Sequence, residues 1–263
     1  MTLPHKENKW PLPAFKKNDI PHFLFIITPP YSGSTALCQL LNSSHRTMIL
    51  QPQGEGQWML PGLCEDDRWD PKKEVDYSSV KAVWVSKYQA IKRLTQNIDV
   101  VIEKSPPNIM RMGKLAAQFE KHSFIANNRD PYAICASILY RHHDADKLSY
   151  IQRKEALDGL VEDWIVRSLK IQELIERFNA PLLTYESFCK KPSSVLDILN
   201  LPDGVSETIS PNINVKVKDY EPQPIINQNE RQFSKLTRSE IDHISSILES
   251  SNNLLSFFGY RCR

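Results

Sequence analysis

Two short segments, about a hundred residues apart, hold residue types that bind anions. Residues 23–37 read FLFIITPPYSGSTAL: an apolar run, a tight turn through Tyr31, Ser32 and Gly33, then Ser34 and Thr35 opening a helix. Residues 123–137 read SFIANNRDPYAICAS in the same strand, turn and helix order, with Arg129 and Ser137 eight positions apart. Each segment sets backbone N–H groups and hydroxyls at a helix N-terminus, where unpaired amides and the helix dipole attract anions. Two such sites suit one ligand with two separated anionic groups. That favours a bisphosphorylated nucleotide over ATP.

The turn is not an ATP-binding P-loop. A Walker A motif needs G-x-x-x-x-G-K-[ST], with the lysine on the terminal phosphates. Here Gly33 is followed directly by Ser34 and Thr35, and the first glycine is replaced by Thr28. A serine N-cap on a packed helix is the ordinary alternative for this turn. For Arg129 the alternative is a surface arginine paired with Asp130 or Asp144, since exposed ion pairs need no functional reason. A third turn, Glu103-Lys104-Ser105-Pro106, closes another apolar run. Burial there raises a carboxylate's pKa toward neutrality, whereas an exposed Glu–Lys pair is the plainer reading. The run His142-His143-Asp144-Ala145-Asp146 has the composition of a metal site. Adjacent helical residues diverge, however, and no second cluster completes it, so no metal is expected.

Apolar runs at 22–28, 47–50, 100–103, 123–127 and 182–185 read as strands. They alternate with helical patterns at 34–41, 79–96, 108–119, 157–178, 192–199 and 239–248. Such alternation predicts an α/β fold with a central parallel sheet flanked by helices. The strand 22–28 is apolar without alternation, as in a strand buried on both faces. Ligands of such sheets lie beyond the carboxyl ends of the strands, and all three turns fall there. Asp130 reads as an N-cap with Pro131 at the first helical position. Residues 66–77 read as surface and 212–235 as polar and irregular.

The chain has 263 residues, 41% hydrophobic and 24% charged, with a net charge of +2. That suits a globular protein with a substantial core and not a nucleic-acid binder, which is usually far more basic. The five cysteines, Cys38, Cys64, Cys135, Cys189 and Cys262, are odd in number and never spaced C-x-x-C. They suggest a reducing compartment, without disulfide framework or zinc knuckle. No secretory h-region is read at the N-terminus and no span-length apolar stretch anywhere, so a cytoplasmic protein without membrane contact is expected.

In their order, these motifs resemble the sulfotransferases that use 3′-phosphoadenosine-5′-phosphosulfate (PAPS). The Tyr31–Thr35 loop resembles the family's 5′-phosphosulfate loop, and Arg129 and Ser137 match its 3′-phosphate-binding pair. Glu103-Lys-Ser-Pro resembles the Glu-Lys-Ser/Thr-Pro segment of heparan-type and many bacterial members. Leu183–Pro192 resembles the family's Tyr-Glu strand and turn, and Phe258-Gly-Tyr260 a common ending. The likeness runs over roughly residues 22–260. It implies a P-loop-like, three-layer fold, one domain over 1–263 with an irregular lead-in at 1–20, PAPS as co-substrate and no metal. By resemblance Glu103 is the general base, Lys104 its electrostatic helper, residues 32–35 the 5′ cradle, and Arg129 with Ser137 the 3′ clamp. Tyr185 matches a position that stacks on adenine. Trp58 is a second aromatic candidate, although large aromatics are mostly packing residues.

Two departures from the family pattern stand out. Tyr31 occupies the place of a lysine or arginine, with Lys104 and Arg141 available to compensate. The Arg-Lys-Gly loop of cytosolic members is absent; residues 227–232 take its place, with Arg231 as the phosphate contact. The resemblance implies transfer of a sulfuryl group to a hydroxyl of a small metabolite or carbohydrate. The alternatives are a P-loop-type small-metabolite kinase and a non-catalytic nucleotide-binding protein derived from the fold. Residues 51–78 and 142–156 are expected to line the acceptor pocket, and they show no basic stripe suited to a polyanion. Oligomeric state is left open.

Overall fold

A computed structural model describes residues 15–16, 20–95, 97–143, 145–217 and 221–263. The expected lead-in at 1–20 falls almost wholly outside these residues, as does Asp144. The first strand, β1 (His22–Ile27), shows why the fold has three layers. Phe23, Phe25 and Ile27 face one apolar cluster, while Leu24 and Ile26 face another. A strand apolar on both faces must be covered on both, so helices pack above and below it.

Helix α1 (Ser34–Leu41) returns the chain to β2 (Thr47–Ile49). Short turns and α2 (Pro61–Cys64) then lead to α3 (Tyr77–Thr95) and β3 (Val100–Glu103). Pro106 and Pro107 hold the next segment in a 3-10 turn over Pro106–Arg111, so the helix expected from 108 begins only at α4 (Met112–Gln118). Arg111, with φ of −137° and ψ of 27°, separates that turn from the α-helix. Strand β4 (His122–Asn128) feeds α5 (Pro131–His142). Then α6 (Tyr150–Phe178) starts seven residues ahead of the position read from its apolar spacing. Ser149 and Gln152 form a capping box there, which the apolar pattern does not reveal.

Strand β5 (Leu182–Thr184) stops one residue early because the Thr184 hydroxyl caps α7 (Tyr185–Lys190). Helix α8 (Ser194–Ile198) follows. The stretch expected to be irregular contains a small antiparallel pair, β6 (Asn214–Val215) with β7 (Gln223–Pro224), and α9 (Asn229–Phe233). Helices α10 (Arg238–Leu248) and α11 (Asn252–Phe257) close the fold.

The five main strands are all parallel, in the order β2-β3-β1-β4-β5. From β1 the chain runs to the edge strand β2, returns to β3 between them, then crosses to β4 on the other side of β1 and moves out to β5. A crevice opens where these directions diverge, at the strands' carboxyl ends. Register brings Phe25 level with Glu103 and Ile27 level with Ala126. The turns after β1, β3 and β4 therefore share one end of the sheet. The core behind them is anchored by fully buried Trp84 and Trp164.

Candidate active site

The turn after β1 is fixed before any ligand arrives. Thr28 donates its hydroxyl to Asn127 Oδ1 at 2.9 Å, and Asn127 donates its amide to the Leu183 carbonyl at 2.9 Å. Three strand ends are thus tied by one asparagine. Tyr31 and Gly33 both take left-handed backbone, with φ of 65° and 77°. Only glycine fits the second position, because a Cβ there would lie 2.4 Å from the Tyr185 ring. Gly33 precedes α1, whose first turn has no side-chain cap. The Ala36 amide bonds the Gly33 carbonyl at 3.0 Å, so it is the Ser34 and Thr35 amides that the helix start leaves without a side-chain cap. Ser32 is 1% exposed, and its hydroxyl finds no partner among the described residues.

Arg129 leaves β4 beside this turn and is 6% exposed. Its Nε donates to Asn229 Oδ1 at 2.9 Å and its Nη1 to the Tyr31 carbonyl at 2.8 Å. The guanidinium lies 4.1 Å from the Tyr185 ring centroid. Among the described residues its Nη2 has no hydrogen-bond partner. Burial lowers its pKa, opposed by the charges of Tyr185, Glu186 and Asp130. A buried cation with one donor left over is costly unless an anion completes it. Asp130 caps α5 through the Tyr132 and Ala133 amides. Ser137, half-buried on that helix, donates its hydroxyl to the Ala133 carbonyl at 2.6 Å.

The turn after β3 separates Glu103 from Lys104. Glu103 is 1% exposed and accepts from the amides of Gly56 and Ser105, the Ser105 hydroxyl and the Asn108 side chain. Burial pushes its carboxyl up to about 7, against the pull of the Ser105 and Gly56 hydrogen bonds. Lys104 turns away from it and gives its ammonium to Glu55 Oε1 at 2.7 Å. Glu55 Oε2 accepts from Gln57 at 2.8 Å and from the Trp58 indole at 2.9 Å. Burial would raise the Glu55 carboxyl, but the Lys104 charge and these donors hold it below its ordinary value. Glu55 is absent from the residues singled out by sequence. It belongs to the turn after β2, flanked by Gly54 and Gly56, where the carboxyl-end rule for the sheet would have placed it.

The remaining expected residues divide. Tyr185 is buried between Gly33 and Arg129, and its hydroxyl joins the Ile226 carbonyl and the Gln228 amide. Asn229 on α9 accepts the hydrogen bond from Arg129. Arg231 is exposed on the same short helix, close enough to help lower the Lys235 pKa after burial. Trp58 is 58% exposed, so the core-packing expectation for it does not hold. The Tyr31 hydroxyl is bonded to His142 Nε2, their rings edge to face at 5.6 Å. Burial raises the Tyr31 pKa, countered by Arg141. Among the described residues no group of three or more His, Cys, Asp and Glu side chains could hold a metal, and no helix is long and apolar enough to cross a membrane.

The profile of the sulfotransferase family matches residues 21–197, which include all three turns. The chain belongs to this family. Sulfotransferase folds among solved structures agree. A sulfotransferase from Alicyclobacillus acidocaldarius superposes with a TM-score of 0.57 at 13% identity, covering 92% of this chain and 96% of its own. The sulfotransferase domain of the Synechococcus PCC 7002 olefin synthase gives 0.51 at 17%, covering 91% and 98%. That of the curacin biosynthetic pathway gives 0.50 at 18%, covering 88% and 98%. At such identities the likeness is one of fold. Among curated proteins no sequence matches. The five-stranded parallel sheet flanked by helices is thus a sulfotransferase fold.

Proposed function

We propose that this sulfotransferase takes the sulfuryl group from PAPS and passes it to an acceptor hydroxyl. One observation carries the donor reading: two buried donors, Ser32 Oγ and Arg129 Nη2, lack partners beside the uncapped start of α1. Buried polar groups in native proteins are nearly always paired. An anionic nucleotide with a second phosphate on its ribose would pair both. The donor supplies an activated sulfuryl group and leaves as a 3′,5′-bisphosphate.

In this reading the amides and hydroxyls of residues 32–35 hold the 5′ end, and Arg129 holds the 3′-phosphate. Ser137 joins the clamp by turning its hydroxyl from Ala133 to the phosphate. Tyr31 contributes its carbonyl to Arg129 and no charge, so positive potential at the reacting oxygens comes from Lys104. Of the two carboxylates, Glu55 is the better placed to take the acceptor proton. It is ionised, partly open and oriented by Lys104 and Trp58. Glu103 is enclosed by four donors and fixes the turn that aims Lys104.

Calorimetric titration of 3′-phosphoadenosine 5′-phosphate, with ATP and AMP as controls, tests the donor site. Micromolar binding that needs the 3′-phosphate, together with labelled sulfate transfer from PAPS, supports the proposal. Tighter binding of ATP would replace it with the kinase reading.

A further inference from the structure

Trp58 is an exposed indole fixed to a carboxylate. Single exposed apolar side chains are common and carry no meaning alone. Two things set this one apart from a loose surface residue. Its N–H bonds Glu55 Oε2, the carboxylate whose other oxygen holds Lys104. The turn just before it, residues 54–57, is also pinned at four points: the Lys104 amide donates to the Gly54 carbonyl, the Gly56 amide to Glu103, the Gln57 amide to the Ser105 hydroxyl, and the Trp84 indole to the Gly56 carbonyl. Gly56 packs so closely that a Cβ there would lie 2.9 Å from the Trp84 ring. The residue is therefore carried on a rigid support, and among the described residues more than half of its surface stays uncovered.

We infer that Trp58 is the platform on which the acceptor stacks, and that the acceptor hydroxyl is carried on a flat ring or one carbon from it. The inference rests on the reading of Glu55 as the proton acceptor. A hydroxyl that gives its proton to Glu55 must come within hydrogen-bond reach of the carboxylate, about 3 Å. A ring attached to that hydroxyl then falls within the span of the indole bonded to the same carboxylate. Flat rings stack on indole, while open chains gain only ordinary burial. Met59 and Leu60, which follow it in the chain, are half-buried and pack against the core. Lys104 neutralises Glu55, so the platform favours an uncharged ring. During transfer the acceptor oxygen forms its bond to sulfur, the sulfur–oxygen bond to the nucleotide phosphate breaks, and the acceptor proton goes to Glu55. Trp58 makes and breaks no bond, so its effect falls on KM.

Benzyl alcohol and 1-heptanol have equal carbon counts and similar hydroxyl acidity, and differ in the ring. With PAPS as donor, the wild-type protein should prefer benzyl alcohol about tenfold in kcat/KM, the size of one aromatic stacking contact. Trp58→Gln keeps an N–H donor for Glu55 and removes the ring, and should abolish the preference through KM. Trp58→Phe keeps a ring and should retain most of it. Equal use of the two alcohols by the wild type, or a preference that survives in Trp58→Gln, overturns the inference. So does absence of transfer to either alcohol while 3′-phosphoadenosine 5′-phosphate still binds, which leaves the donor site standing. Absence of nucleotide binding overturns the functional reading and this inference with it.

Discussion

Lys104 gives its ammonium to Glu55, forty-nine positions earlier in the chain, and not to Glu103 beside it. The two carboxylates consequently have opposite electrostatic fates: Glu55 is held ionised and Glu103 is pushed up to about 7.

The first prediction separates them by activity. Glu55→Gln should lower kcat by roughly a hundredfold or more, the usual contribution of a general base, and leave bisphosphate nucleotide affinity within about twofold. Glu103→Gln can still accept and donate hydrogen bonds, and should lose far less. Single-turnover transfer under saturating PAPS measures both. The reverse ranking would return the base to Glu103.

Glu103 should also write itself into the pH dependence of stability. Its folded carboxyl is pushed up to about 7 and its unfolded one stays near the ordinary 4.5, so the folded state binds the extra proton between these values. Stability from this group is present below about pH 4.5 and is lost as pH rises to 7, by a few kcal/mol at most. His22 works in the opposite sense. Burial lowers it to about 4, so it adds stability as pH rises toward 6.5. The difference between wild type and Glu103→Gln isolates the first effect: denaturant midpoints should converge as pH rises through this window. A constant difference would mean Glu103 is not shifted.

Gly33→Ala is expected to be damaging twice over. It forces a side chain into φ of 77° and sets a methyl 2.4 Å from Tyr185. Strain of this kind costs on the order of 1–3 kcal/mol. Thermal unfolding should show the loss, and nucleotide titration a weakened site. Combining it with Tyr185→Ala relieves the clash but leaves the backbone strain, so recovery should be partial.

The clamp makes a prediction about ligands. Arg129→Lys keeps a charge but loses the fork that bonds Asn229 and Tyr31 while leaving Nη2 for a phosphate. Affinity for 3′-phosphoadenosine 5′-phosphate should fall at least tenfold, and affinity for the 3′-dephospho nucleotide much less. Equal losses would remove the 3′-phosphate from Arg129.

The strands and the turns at their carboxyl ends were legible because local chemistry dictates them. The unbroken apolar run at 22–28, Gly33 before Ser34, and Asp130 with Pro131 each encode their conformation within a few residues. Glu55, Asn229 and the exposure of Trp58 were not legible. Their roles depend on partners far along the chain: Lys104 for Glu55, Arg129 for Asn229. The early start of α6 was missed for a different reason, since its Ser149–Gln152 capping box is polar and leaves no apolar period.

The Tyr185 ring, set between Gly33 and Arg129 with its hydroxyl on the 226–228 segment, has a consequence for how the chain reaches its native state. These contacts join parts of the sequence that meet only once the parallel sheet is assembled, and contacts of such long separation form slowly. A partly folded chain can hold its apolar layers and still lack the crevice. The proposed nucleotide site therefore exists only once these distant parts of the chain have met, so ligand binding during refolding would report their meeting.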